Sequence, residues 1–102
     1  MTITINNYAR KVGQRGDYDW YRWKVFVDEG ENKLNEIREV EYLLHPTFPN
    51  PKRVIKNSES AFALESAGWG SFNMLVTVRY KDGRVEMTRY FLDLNKPWPP
   101  SN

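Results

Sequence analysis

Residues 71–80, SFNMLVTVRY, place Phe72, Met74, Val76, Val78 and Tyr80 at every second position. Successive strand side chains point to opposite faces, so this spacing makes one continuous apolar face on a strand and scatters it on a helix. Lys81-Asp82-Gly83-Arg84 follows, and a second alternating run extends from Val85 to about Leu94. Asp-Gly between two such runs predicts a tight hairpin with a type I′ turn, whose two central residues both take positive φ. The chain is thereby committed to antiparallel sheet.

The rest of the sequence adds strands rather than helices. Residues 2–8 alternate Ile3 and Ile5 with polar neighbours and lead into a predicted loop containing Gly13, Gly16 and Asp17. In WYRWKVFVD, Tyr21, Trp23, Val25 and Val27 share one face. DEGENKLN reads as a polar turn. EIREVEYLLH reads as a third strand with Arg38, Val40, Tyr42 and Leu44 on one face and Ile37, Glu39, Glu41 and Leu43 on the other. Helix propensity competes over residues 36–44, but the short length, the β-branched and aromatic content and Pro46 favour strand. Short strands are expected at residues 53–56 and 61–65. Seven to eight short strands without a convincing helix predict an all-β, immunoglobulin-like antiparallel β-sandwich. Residues 1–96 form this domain, and residues 97–102, within NKPWPPSN, read as a proline-rich tail or linker.

Composition narrows the function. A chain of 102 residues holds one hydrophobic core. Net charge is only +2, with both signs interspersed over a 27% charged content, so no strong field points to nucleic acid or membrane. Lys52, Arg53 and Lys56 form a small basic cluster that reads as a solvated loop. With no cysteine, disulfide and thiolate chemistry are absent. MTITINNYARKV lacks the basic-then-apolar order of a signal peptide, and no apolar run approaches the length of a membrane span. The expected placement is cytoplasmic, or nuclear in a eukaryote, and the expected state is a monomeric domain, alone or within a larger protein.

Catalytic patterns are weak. Glu39 and Glu41, two apart on a strand, read as a solvated face rather than an acid/base pair. His45 is the only histidine and has no histidine or cysteine beside it to hold a metal, so no metal or cofactor is expected. Ser58, Ser60, Ser66 and Ser71 lie in no nucleophile-elbow pattern. Gly68-Trp69-Gly70 lacks the spacing and lysine of a phosphate loop. The expectation is a protein that is not an enzyme.

Two aromatic stretches remain. LLHPTFPNPKRV, residues 43–54, carries His45, Thr47 and Phe48 from a strand end into a proline-rich loop. SAGWGSF, residues 66–72, sets Trp69 between Gly68 and Gly70, where missing side chains allow positive φ and close approach to the main chain. Trp69 equally fits a residue packed over the end of the sandwich.

Together, LHPTFPNPKRV, FALESAGWGSF about a dozen residues later and the KDG hairpin resemble the YEATS domain. WKVFVDEG upstream matches too, so the likeness covers roughly residues 18–94. YEATS domains are immunoglobulin-like sandwiches that read acetyl- and crotonyl-lysine on histone tails, and relatives in prokaryotes sit in signalling or membrane proteins. The resemblance implies an acyl-lysine reader in which Phe48 and Trp69 sandwich the acyl-amide. Thr47 would bond the amide through its hydroxyl and Trp69 would donate its backbone N–H to the acyl carbonyl. His45 would orient its neighbours, Gly68 and Gly70 would permit close approach, and Phe72 would close the base. The partner implied is an acylated-lysine peptide or protein, a histone tail if eukaryotic. The alternative is a YEATS-like sensor or interaction domain that binds a different small molecule or protein with the same loops. Pro46 follows the histidine where many histone readers carry a charge, and the upstream aromatic (Tyr18, Trp20 or Tyr21) has no assigned place.

Overall fold

The structure, a computed structural model, describes residues 3–98. Seven strands form two antiparallel sheets packed as an immunoglobulin-like all-β sandwich. One sheet has the order β1-β2-β5, from Ile5–Arg15, Tyr18–Val27 and Leu64–Gly68. The other is β4-β3-β6-β7, from Lys52–Ile55, Ile37–Leu43, Asn73–Tyr80 and Val85–Phe91. The polar segment after β2 holds one helical turn, α1 (Glu31–Leu34), with no buried residue.

Alternation builds the core. Trp23, Val25 and Val27 of β2 face Val40 and Tyr42 of β3 and Met74, Val76, Val78 and Tyr80 of β6, all buried. Ile37 joins them, although strict alternation assigns it to the opposite face with Glu39. A register shift between Ile37 and Glu39 in the β3–β6 pairing accounts for this: one extra residue reverses the parity of the strand, leaving Arg38 outside. Glu39 and Glu41 lie on the outer face, but they are largely covered rather than freely solvated. Arg79 donates to both, at 2.9 Å and 2.8 Å.

Three local expectations are corrected. The loop expected around Gly13 is strand: β1 runs on to Arg15 over a bulge between Lys11 and Gly13, and the chain turns at Gly16-Asp17, where Gly16 has φ +58°. The KDG turn is not type I′. Gly83 has φ +95° while Asp82 is not left-handed, and Gly83 N–H donates to Tyr80 O as Tyr80 N–H donates to Arg84 O. That is a three-residue loop in which a left-handed glycine ends an ordinary turn. Residues 61–63 are not strand either. After a 3-10 turn at Ser58–Ser60, Ala61 and Phe62 are both left-handed (φ 58° and 56°), and β5 starts at Leu64. Burial of Phe62 and the hydrogen bond from Tyr42 Oη to its carbonyl, 2.6 Å, hold that strained pair in place.

After β7 the chain returns to β1. The Ala9 N–H donates to Lys96 O at 2.8 Å, and Pro97, which needs no donor partner, bridges to Ala9. Buried Asn7 donates to Asp93 O and accepts from Tyr90 Oη and Asp93 N–H. Residues 99–102 lie outside the described residues.

The tyrosines give the fold an alkaline limit. Burial, reinforced by a hydrogen bond to Glu86, pushes the Tyr80 phenol up to about 12; burial and the nearby Asp93 charge push Tyr90 up to about 12. An unfolded tyrosine releases its proton near about 10, so between these values the folded state holds more protons and stability falls as pH rises. The expected result is a denaturant midpoint that is level below about pH 10 and falls steadily towards about pH 12. A level midpoint across that window contradicts the assignment.

Candidate functional site

Where β3 ends, the chain makes a turn set by its own sequence. Pro46 occupies the second position, where its fixed φ suits a turn, and the Phe48 N–H closes back on His45 O at 3.0 Å. The base of the longer loop is tied by the Leu44 N–H to Pro51 O, 2.8 Å. Arg53, on β4, braces the tip: its Nε donates to Asn50 O at 2.6 Å and its Nη2 to Pro49 O at 2.8 Å. The loop is therefore rigid through prolines and an arginine together.

His45 and Thr47 form a unit on this wall. His45 Nδ1 lies 2.9 Å from Thr47 Oγ1 and 3.3 Å from the Thr47 backbone N. With a backbone N–H aimed at it, Nδ1 of the neutral ring accepts, so the Thr47 hydroxyl donates to it and turns its lone pairs outward. Thr47 is the sole hydrogen-bond partner of the His45 ring among the described residues, so no carboxylate orients the imidazole for catalysis.

The opposite wall grows from the end of β5. Gly68 makes the last ladder pair, with Tyr21, and Trp69 follows with 56% of its surface exposed. The Tyr18 ring stacks against Trp69, 4.7 Å away at 33°. Positive φ is not the reason for the two glycines, since neither is left-handed. A Cβ at Gly68 would sit 3.5 Å from Phe48 Cζ, an ordinary contact, and one at Gly70 would meet nothing within 4 Å. They leave the backbone bare beside the tryptophan.

Between the walls lies a cleft of about 520 Å³. His45, Thr47, Phe48, Gly68, Trp69, Gly70 and Phe72, the seven residues singled out from sequence, all line it. The floor is aromatic. Phe48 packs 5.3 Å from Phe72 and edge-on to Trp23 at 6.2 Å, Phe72 lies 6.0 Å from Trp23, and His45 flanks Phe72 at 6.5 Å. Phe48 thus belongs to floor and wall together, whereas Trp69 is wall alone.

Sequence reasoning left Trp20, one of three candidates for the upstream aromatic, without a place and missed Pro49, Arg53, Ser66, Ala67 and Ser71 as lining residues. Trp20 and Tyr18 were hidden by the misplaced β1–β2 turn. The hairpin is longer than expected, and its outer half carries Trp20 to the cleft and Tyr18 onto Trp69. Arg53 had been read as part of a solvated basic cluster. Among the described residues no three His, Asp or Glu side chains come together as a metal site, and no helix is long and apolar enough to cross a membrane.

A family profile of the prokaryotic YEATS domain matches residues 21–93, which contain both loops. The chain belongs to this family. Among curated proteins it resembles the AF-9 homologs of Kluyveromyces lactis (37% identical over 88 residues, covering 78% of this chain and 39% of the relative) and Eremothecium gossypii (33% over 87 residues, 78% and 41%). It spans about two-fifths of the length of these relatives. Among solved structures, yeast Yaf9 superposes with a TM-score of 0.74 at 28% identity, covering 91% of this chain and 70% of that one. A Yaf9 YEATS domain recognising a succinylated histone peptide, H3K122suc, matches with a TM-score of 0.72 at 25% identity, covering 93% and 78%.

Proposed function

We propose that this YEATS domain is a binding module for acylated lysine, and that the cleft between Thr47 and Trp69 holds the acyl-amide. The observation that carries the reading is the convergence of the two loops on one aromatic cleft that, among the described residues, no carboxylate lines. Unmodified lysine is an ammonium, which loses its water on entering such a cleft and gains no counter-charge; acylation turns it into a neutral amide. Support also comes from a relative of the same fold that recognises a succinylated lysine peptide.

Each residue then has a chemical task. The amide plane lies between Phe48 and Trp69, where ring stacking adds about 0.5–1.5 kcal/mol per aromatic pair beyond burial. The Thr47 oxygen, its O–H donating to His45 Nδ1, accepts from the amide N–H. The Trp69 backbone N–H donates to the acyl carbonyl. Bare backbone at Gly68 and Gly70 lets the acyl group approach the main chain. Phe72 holds Phe48 from below. The broad indole face of Trp69 suits a flat conjugated tail, so crotonyl-lysine is the preferred ligand.

Calorimetric titration of the domain with one peptide in unmodified, acetylated and crotonylated forms tests this. The acylated forms bind more tightly by about tenfold or more, because the ammonium finds no counter-charge in a pocket whose charged lining residue is Arg53. Thr47→Val, which keeps the shape and deletes the oxygen, strands the amide N–H and weakens acyl-peptide binding by about tenfold, the size of a lost buried hydrogen bond. Equal affinity for unmodified and acylated peptides overturns the proposal and leaves the cleft to a different ligand.

A further inference from the structure

Charge around the cleft is one-sided. Among the described residues, Arg53 is the only charged side chain that lines it. Its two bonded nitrogens face neutral carbonyls, which brace the guanidinium without cancelling its charge. On the hairpin, the Arg15 guanidinium lies over the Trp20 ring, 4.4 Å from its centroid, and Trp20 is itself a cleft residue. Stacking on an aromatic face leaves the N–H edges of an arginine pointing outward and available to a carboxylate.

The carboxylates on the same sheet are already engaged. Asp19 pairs with Lys11 at 3.1 Å and Glu65 with Arg22 at 3.6 Å, while Glu41, on the other sheet, takes Lys52 and Arg79. Among the described residues, neither Arg15 nor Arg53 lies within ion-pair distance of an acid, and Asp17, in the turn, is the hairpin's one carboxylate without a basic partner. Arg10, stacked 5.3 Å from Trp98, continues the positive character along β1. Arg10, Arg15, Tyr18 and Trp20 all precede the residues matched by the family profile, and Arg53 lies within them.

We infer that the acyl-lysine taken by this cleft stands in an acidic segment, and that Arg53 and Arg15 hold carboxylates flanking it. The inference rests on the acyl-lysine reading of the cleft and gives it a partner class: a protein segment with Asp or Glu beside the modified lysine. A segment rich in Lys and Arg meets like charge at the cleft, and such contacts are unfavourable at low salt.

The test uses the whole chain and four synthetic peptides carrying a central lysine. Three have crotonyl-lysine flanked by Asp/Glu, by Gly/Ser or by Lys/Arg; the fourth has acidic flanks and unmodified lysine. Near 50 mM salt the acidic crotonyl peptide binds about three- to tenfold more tightly than the neutral one, the scale of two half-exposed ion pairs, and the basic one binds most weakly. At about 0.5 M salt the ratio approaches one, since screening then acts within a few ångströms. Arg53→Gln and Arg15→Gln each reduce the acidic-to-neutral ratio, and the double substitution brings it to about one. Equal binding of the three acylated peptides, or a preference for basic flanks, overturns the inference and leaves the acyl pocket standing. Failure of every crotonyl peptide to bind overturns both.

Discussion

Trp69→Ala yields a folded sandwich that no longer binds acylated peptide. Affinity falls by about thirtyfold or more, the loss typical of a central aromatic anchor, while the unfolding midpoint barely moves. The separation follows from where the side chain sits. Trp69 is 56% exposed, and the Tyr18 ring stacks on it. The stacking on Tyr18 is worth about 0.5–1.5 kcal/mol, and a side chain more than half exposed adds little beyond it. To the ligand it gives the whole face of an indole and a fixed backbone N–H. Truncation keeps the N–H and removes the face, so the loss measures stacking. Tyr18→Ala gives a smaller fall by the same route, because it frees the indole to leave its position. Peptide titration and thermal melting on the same preparations check both; a large loss of stability in Trp69→Ala, or unchanged affinity, contradicts the assignment of Trp69 to the wall alone.

The hairpin between β6 and β7 shows what sequence conveys most directly. Alternation placed Met74, Val76, Val78 and Tyr80 on one face, and they are the core. The same rule failed wherever one residue was inserted. The irregularity beside Arg38 turned Ile37 inward, and the bulge beside Val12 hid the reach of the first hairpin. Period two carries no information on where a bulge falls, because the extra residue costs little and is fixed by packing on the far side. Two glycines, Gly13 and Gly16, offered two places to turn, and only Gly16 is left-handed. Ala61-Phe62-Ala63-Leu64 reads as strand by composition, yet a buried phenylalanine and the Tyr42 hydroxyl hold its first half in a conformation that propensity disfavours. The site divides in the same way. His45, Thr47, Phe48 and the Gly68–Phe72 stretch stood out as local patterns. Trp20 and Arg53 reach the cleft through hairpin length and loop bracing, which no short motif records.

Trp23→Ala has the opposite signature from Trp69→Ala: it costs the fold. Trp23 is fully buried between the sheets, and the Phe48 and Phe72 rings rest against it. Removing a buried indole loses its transfer energy and leaves a cavity, together about 3–5 kcal/mol, out of a total stability near 5–15 kcal/mol for a small domain. The unfolding midpoint drops steeply, and a population of unfolded chain appears at moderate temperature. Binding is lost as a consequence, because Phe48 and Phe72 no longer have a surface that fixes their rings. Trp23→Phe separates packing from polarity. Trp23 Nε1 is a buried donor with no hydrogen-bond partner among the described residues, a condition that costs about 1–3 kcal/mol. Phenylalanine relieves that cost while giving up part of the volume, so the two effects offset, and Trp23→Phe stays much closer to the parent than Trp23→Ala. Denaturant unfolding of the three proteins, with acyl-peptide titration alongside, gives the order parent, Phe, Ala in both readouts. If Trp23→Ala were no less stable than Trp69→Ala, the floor of the cleft would not be continuous with the core, and the rigidity ascribed to Phe48 would have to come from the proline loop alone.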